Sequence, residues 1–248
     1  MKYVINKNDS NQILYKVERK VGEQIEVSGV NFRVKKIINA QDIKEASKKI
    51  IIKEEQDSKS YISYFQFRND KNGCLTGTVL HIDADETYLE KCCSLYKSVG
   101  IYAFPMLVEE HKMSQEINEM NVDFCPDVVV VTGHDYFNGD DKKNINNYTN
   151  SKYFADAVFT ARKKYPNSII IAGACQSLFE ILIAKGANFA SSPARKNIHV
   201  YDPAIIAINA CITSQKKIID FSNIKKHIID IDSAFGGIET FGKMRKMY

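Results

Sequence analysis

Two residues, His134 and Cys175, have the types and the spacing for thiol chemistry. His134 follows the apolar run Val128-Val129-Val130-Val131 in Thr132-Gly133-His134-Asp135, and Cys175 follows Ile169-Ile170-Ile171 in Ala172-Gly173-Ala174-Cys175-Gln176-Ser177. If the two runs are neighbouring parallel strands, these side chains, 41 positions apart, face each other on one edge of a sheet. A thiol attacks a carbonyl only when a base or a positive charge draws it toward thiolate, and a helix starting just after Cys175 would add to that pull. Each residue alone has a plainer explanation: a Cys at the end of a buried strand is ordinarily a core residue, and a strand-end His an ordinary hydrogen-bonder. Their joint occurrence in consecutive strand-to-helix loops is what points to a working pair.

The elements that must position such a pair are legible in the second part of the chain. Strands are expected over 78–82, 101–108, 127–132 and 168–172, alternating with helices over 86–98, 114–120, 151–165 and 176–185. A short strand over 187–190 and a helix over 203–211 follow, and from Ser233 the chain reads as a Gly-rich loop with a basic tail. Continuous apolar strands separated by amphipathic helices predict a mostly parallel sheet covered on both faces, a three-layer Rossmann-like α/β domain. In such sheets the working residues lie beyond the carboxyl ends of the strands. The N-terminal part differs. Short β-branched runs over 13–17, 24–27 and 31–34, punctuated by Gly22, Ser28 and Gly29, predict a small antiparallel β-rich module, and a charged helix-favouring stretch covers 41–67. The turn-forming run Asn69-Asp70-Lys71-Asn72-Gly73 sets the expected boundary, giving units 1–72 and 73–248.

Composition narrows the function without naming it. With 44% apolar and 26% charged residues, the 248-residue chain is an ordinary globular sequence rather than a disordered or disulfide-stapled one. A formal charge of +4, spread along the chain, gives no reason to expect nucleic acid as a partner. Its apolar stretches fall short of the roughly 20 residues that cross a bilayer, and the first residues lack a signal-peptide core, so no membrane association is expected and a cytoplasmic location is. The six cysteines show no Cys-x-x-Cys spacing, which argues against a zinc ribbon or a redox dithiol. Asp83, Asp85 and Glu86, after the first strand, could bind a metal or help shape the site, but a strand-end turn with helix-capping carboxylates is the favoured reading. Gly237 to Lys243 has the spacing of a phosphate loop, but Met244 stands where Ser or Thr would bind magnesium and the chain ends too soon for a helix. No cofactor or metal is expected.

Six ordered segments add a resemblance. They are Leu80-His81-Ile82-Asp83-Ala84-Asp85, Thr132-Gly133-His134-Asp135, Asn150-Ser151-Lys152-Tyr153-Phe154, Ala172-Gly173-Ala174-Cys175-Gln176-Ser177, Gly186-Ala187-Asn188-Phe189-Ala190-Ser191-Ser192-Pro193 and Gly236-Gly237-Ile238-Glu239-Thr240. Over residues 77–242 these resemble the YabG family of sporulation-specific proteases of spore-forming Firmicutes. The order His then Cys, with Ala174 before the thiol, is that of caspase-like enzymes, whereas class I glutamine amidotransferases have the Cys first. The resemblance implies a caspase-like cysteine endopeptidase that trims spore coat and cortex-related proteins in the mother cell or at the forming coat. It also implies cleavage after Arg and catalysis by His134 and Cys175.

Asp135 stands where caspase-like relatives usually have Gly. Its backbone N–H could serve an oxyanion hole, or its side chain could orient the imidazole, and both roles stay open. Gly133, Ser177 and Ser191 are expected to line the substrate site. Specificity for Arg requires a carboxylate at the base of the first pocket. Some Arg-specific relatives place an Asp beside the nucleophile, but here that position is Ala174, so Glu239 and Asp202 are the expected choices, with Asp135 third. Two other functions compete: a thiol amidohydrolase or amidotransferase acting on a small amide, which would have a closed pocket, and a non-catalytic spore-coat assembly module, which would tolerate loss of Cys175. Oligomeric state is not readable from the sequence.

Overall fold

The computed structural model describes residues 3–9, 12–66, 73–121, 124–224, 227–228 and 230–247, with the backbone alone over 58–66. Among the described residues the first unit is a five-stranded antiparallel sheet built from β1 (Tyr3–Asn6), β2 (Leu14–Val21), β3 (Gln24–Gly29), β4 (Lys35–Asn39) and β5 (Ile43–Glu45), in the order β4-β3-β2-β1-β5. The β2–β3 hairpin turns at Gly22, whose φ of +62° suits a residue without a Cβ. The expected third strand over 31–34 does not join this sheet. Those residues leave it, Phe32 forms an antiparallel bridge with the distant His199, and the sheet resumes only at Lys35. A helix, α1 (Lys48–Gln66), follows. The boundary expected near residue 72 lies outside the described residues.

The second unit begins with β6 (Cys74–Leu75) and then alternates strand and helix: β7 (Val79–Asp83), α2 (Glu86–Ser98), β8 (Ala103–Leu107), α3 (Met113–Glu119), β9 (Val128–Thr132), α4 (Ser151–Lys164), β10 (Ile169–Ala172), α5 (Phe179–Ala184), β11 (Phe189–Ser191) and α6 (Asp202–Ile212). After α6 come β12 (Phe235–Gly237) and β13 (Arg245–Lys246), the latter paired with β6. The larger sheet has the order β12-β11-β10-β9-β7-β8, parallel except for β12, and its direction of winding reverses between β7 and β9. Fully buried strands explain the continuous apolar runs: Val79, Val128, Val130 and Ile171 pack toward α2 and α6, while Leu80, Val129, Val131 and Ile170 pack toward α3 and α4. Burying each such side chain contributes about 1.5–3 kcal/mol. Helix α6 is buried along its length and carries no polar stripe, as expected of a helix covered on all sides.

Two expectations need correction. The segment read as a Gly-rich loop from Ser233 contains β12, which a Phe-Gly-Gly triplet does not advertise. Its glycine is required by close approach, because a Cβ on Gly237 would lie 2.3 Å from Phe189 Cδ1 and 2.5 Å from the Asn188 carbonyl oxygen. The helix expected from residue 176 starts at Phe179, because Gln176 takes a left-handed φ of +60°. A helix N-terminus therefore does not abut Cys175. Among the described residues no helix is long and apolar enough to cross a membrane.

Candidate active site

The reversal between β7 and β9 puts the switch point, the usual ligand position in a doubly wound sheet, at the carboxyl ends of these strands. His134, two residues beyond β9, lies at that end between two carboxylates. Its Nε2 is 3.4 Å from Asp85 Oδ2 and its Nδ1 is 3.6 Å from Glu110 Oε1, while its backbone N–H donates to the same Glu110 oxygen at 2.9 Å. Burial alone would lower the imidazole pKa, but the two paired carboxylates outweigh it and raise the pKa to about 9, so the ring is cationic at neutral pH. Asp85 also caps α2, accepting from the Tyr88 N–H at 3.1 Å. The capping role expected for Asp85 is present, and a second role comes with it. Gly133 makes room for this arrangement, since a Cβ there would meet Glu110 Oε1 at 2.8 Å.

Cys175 follows β10 on the same rim. It is fully buried, and its Sγ accepts from the Ile198 N–H at 3.2 Å. Burial pushes the thiol up to about 12, only partly offset by that hydrogen bond and by the Arg33 guanidinium. Cys175 and His134 therefore share an edge but are not hydrogen-bonded to each other. The Tyr88 ring lies 5.6 Å from the imidazole.

The loop carrying the thiol is held by serines. Ser177 Oγ accepts from the Ala174 N–H at 2.9 Å, and Ser191 Oγ donates to the Ala174 carbonyl at 2.7 Å. Both are buried, so in this conformation they shape the loop from behind. Asp135 points away from the imidazole. Its carboxylate accepts from the N–H groups of Tyr136 and Asn150 and from the Ser151 hydroxyl, fixing the loop between β9 and α4. Asp202 opens α6, is buried, and accepts from the His199 N–H at 2.7 Å. Glu239 does not join the others. Because β12 runs antiparallel, with Phe235 opposite Ser191 and Gly237 opposite Phe189, the chain beyond Gly237 leaves at the opposite rim, and Glu239 is exposed there.

Glu110 and Arg33 were missed from sequence, and Asp83 and Asp85 were read there as helix caps. The fully buried Arg33 guanidinium pairs with the fully buried Asp83 carboxylate at the end of β7. A carboxylate-rich turn at the end of the first strand, beside a switch point, is the signal that could have found Asp83 and Asp85.

The sequence model of YabG peptidase U57 matches residues 3–248. The sporulation-specific protease YabG of Bacillus subtilis (strain 168) is 39% identical over 198 residues, which cover 77% of this chain and 68% of that protein. Among solved structures, a Sphingomonas wittichii serine palmitoyltransferase aligns over 52% of this chain and 31% of its own at 13% identity, with a TM-score of 0.26, too low to carry an argument. With a match that runs from the first antiparallel strand through the end of the α/β unit, the chain belongs to the YabG peptidase family U57 and is a sporulation protease, a hydrolase of peptide bonds.

Proposed function

We propose that the chain is a cysteine endopeptidase cleaving after Arg, with Cys175 as nucleophile and His134 as the group that serves the leaving amine. The observation that carries this is the shared rim. The two residues leave neighbouring parallel strands, paired from Val128–Ile169 through Val131–Ala172. The sheet order, with reversal between the first and third strands of the domain and an antiparallel last strand, supports a caspase-like architecture for it.

In the proposed reaction the thiol gives its proton to solvent, and Sγ attacks the carbonyl carbon of the scissile bond. The resulting oxyanion is received by a backbone amide, for which the Asp135 N–H is our assignment; one such donor contributes roughly 10²–10³ in kcat. His134, kept cationic by Asp85 and Glu110, donates its proton as the C–N bond breaks, so the amine leaves neutral and a thioester remains. Neutral His134 then takes a proton from the water that attacks the thioester, the carboxylic acid leaves, and the Cys175 thiolate recovers its proton from solvent, so both residues are restored. Gly133, Ser177, Ser191 and Asp202 support the loops around this centre rather than contacting substrate. Spore coat and cortex-related proteins in the mother cell are the proposed substrates.

Cleavage of peptides with Arg, Lys, Gln or Leu before the scissile bond tests the proposal. Cys175→Ala and His134→Ala should each abolish turnover with cooperative unfolding retained, and thiol alkylation should inactivate. A Cys175→Ala chain that still cleaves would end it.

A further inference from the structure

Residues 31–33 leave the N-terminal sheet and run across the rim that carries the candidate nucleophile. Phe32 bridges His199 in antiparallel fashion, the Arg33 N–H donates to the Ile198 carbonyl at 3.1 Å, and the Val200 N–H donates to the Asn31 carbonyl at 2.7 Å. This is how an extended peptide adds itself to an exposed edge, with main-chain bonds along its length and a pocket for its side chain. Ile198 is shared, because its N–H donates to Cys175 Sγ while its carbonyl receives Arg33. The Tyr88 hydroxyl lies within reach of the Gly29 and Phe32 carbonyls, at 2.6 and 2.9 Å, and fixes the same segment from the other side.

The Arg33 side chain then turns inward. It is 0% exposed, paired with Asp83, bonded to the Val200 carbonyl through Nε and Nη2 at 3.3 and 3.2 Å, and its guanidinium carbon lies 5.3 Å from the centre of the Tyr88 ring. Asp83 is built to receive it: the carboxylate also accepts from Thr132 Oγ1 at 2.8 Å and from the Asp85 N–H at 3.0 Å. A buried ion pair is a poor device for stability alone, since apolar residues of the same volume serve at least as well. A guanidinium pocket beside a thiol is what an Arg-directed peptidase needs.

We infer that Asp83 is the base of the first specificity pocket and that Arg33, presented by residues 31–33, occupies it in substrate fashion, so the N-terminal module holds the site closed. This rests on the proposed Cys175-centred peptidase. It assigns the anionic partner of the substrate Arg to the end of β7 in place of Asp202 and Glu239. The thiol is tied to the same segment through Ile198, which donates to Cys175 Sγ and accepts from the Arg33 N–H.

The experiment uses the full chain. An internal occupant competes at an effective concentration of about a millimolar, so Arg33→Met should raise kcat/KM for a peptide with Arg before the scissile bond by at least about tenfold. Agmatine, a small guanidinium probe, should bind Arg33→Met/Cys175→Ala by calorimetry and bind Arg33→Met/Asp83→Asn/Cys175→Ala at least about 30-fold more weakly. Arg33→Lys keeps a cation opposite Asp83 and stands in if Arg33→Met does not fold; it should also gain rate over the parent. No gain in the variant that folds, or agmatine binding indifferent to Asp83→Asn, overturns the inference. Because agmatine binding needs no working nucleophile, binding that depends on Asp83 together with undiminished cleavage by Arg33→Met/Cys175→Ala would sink the catalytic proposal and leave the pocket standing.

Discussion

Replacing Glu110 by Gln isolates what holds His134 cationic. The imidazole is raised from an ordinary 6.5 to about 9 although its burial works in the opposite direction, so the two flanking carboxylates together supply more than the difference. They sit at similar distances, 3.4 Å for Asp85 and 3.6 Å for Glu110, with similarly limited exposure, so each accounts for roughly half. Gln keeps an oxygen for the His134 N–H and removes only the charge. The pKa should then fall by at least about 1.3 units, equivalent to about 1.8 kcal/mol or more. A group that donates its proton to the leaving amine must be protonated, so activity, which climbs with the thiolate, should level off into an alkaline limb at about pH 9 in the parent and at a lower pH in Glu110→Gln. Stability follows the same group. A folded pKa above the unfolded one contributes stability that is fully present below pH 6.5 and lost as pH rises through about 9, on the order of 3 kcal/mol in all. The assays are kcat/KM against pH and an NMR titration of the His134 ring in Cys175→Ala. An alkaline limb that stays in place in Glu110→Gln, or a ring titrating near 6.5 in the parent, refutes the argument.

Three further outcomes follow from the geometry. Gly133→Ala drives a methyl to within 2.8 Å of Glu110 Oε1, so Glu110 should be displaced and the alkaline limb should move down as in Glu110→Gln, read from the same pH profile. Asp135→Ala strips the acceptor from two backbone N–H groups and the Ser151 hydroxyl and should cost about 1–3 kcal/mol in urea unfolding without moving the alkaline limb. Gly237→Ala would press on Phe189 and the Asn188 carbonyl and should destabilise by about 1–3 kcal/mol or more, while kcat per folded molecule stays unchanged because this edge lies opposite the thiol.

How much was legible depends on the range of the forces involved. The Val128–Thr132 and Ile169–Ala172 strands read plainly because a strand buried on both faces must be apolar throughout, and their neighbouring positions followed from consecutive parallel connection. The carboxylates around His134 did not read, because Glu110 arrives from the loop after β8 and Asp85 looks like any helix cap. Arg33 was hidden by its own chemistry. Hydrophobic patterning treats a guanidinium as solvent-facing, so Asn31-Phe32-Arg33-Val34 resembled one more edge of the small sheet rather than a segment inserted beside α2. Glu239 was misjudged for the opposite reason. Its Gly-rich neighbourhood read as a loop, but one antiparallel strand of three residues carries it to the far rim.

Asp202 shows what the site does with a carboxylate that has no cation. It is fully buried, accepts one backbone N–H from His199 through Oδ2, and its Oδ1 has no hydrogen-bond partner among the described residues. Burial raises its pKa to about 8, which that hydrogen bond and the Arg33 guanidinium only partly offset, so it is largely protonated at neutral pH. A neutral acid is a weak partner for a substrate guanidinium, whereas Asp83 stays ionised because Arg33 faces it, holding it well below the usual carboxylate range against the effect of burial. The sign of the stability effect follows. A folded pKa above the unfolded value contributes stability present below about pH 4 and lost progressively as pH rises through about 8. Asp202→Asn keeps the acceptor for His199 and cannot ionise. It should therefore match the parent below about pH 4 in urea unfolding and exceed it by at least about 1 kcal/mol at pH 9. The same substitution removes a negative charge that opposes ionisation of Cys175, so the rate of Cys175 alkylation should rise at alkaline pH. A variant less stable than the parent at pH 9, with alkylation unchanged, would mean that Asp202 is ionised and paired in the native protein, and would return it to contention as the acid that receives the substrate Arg.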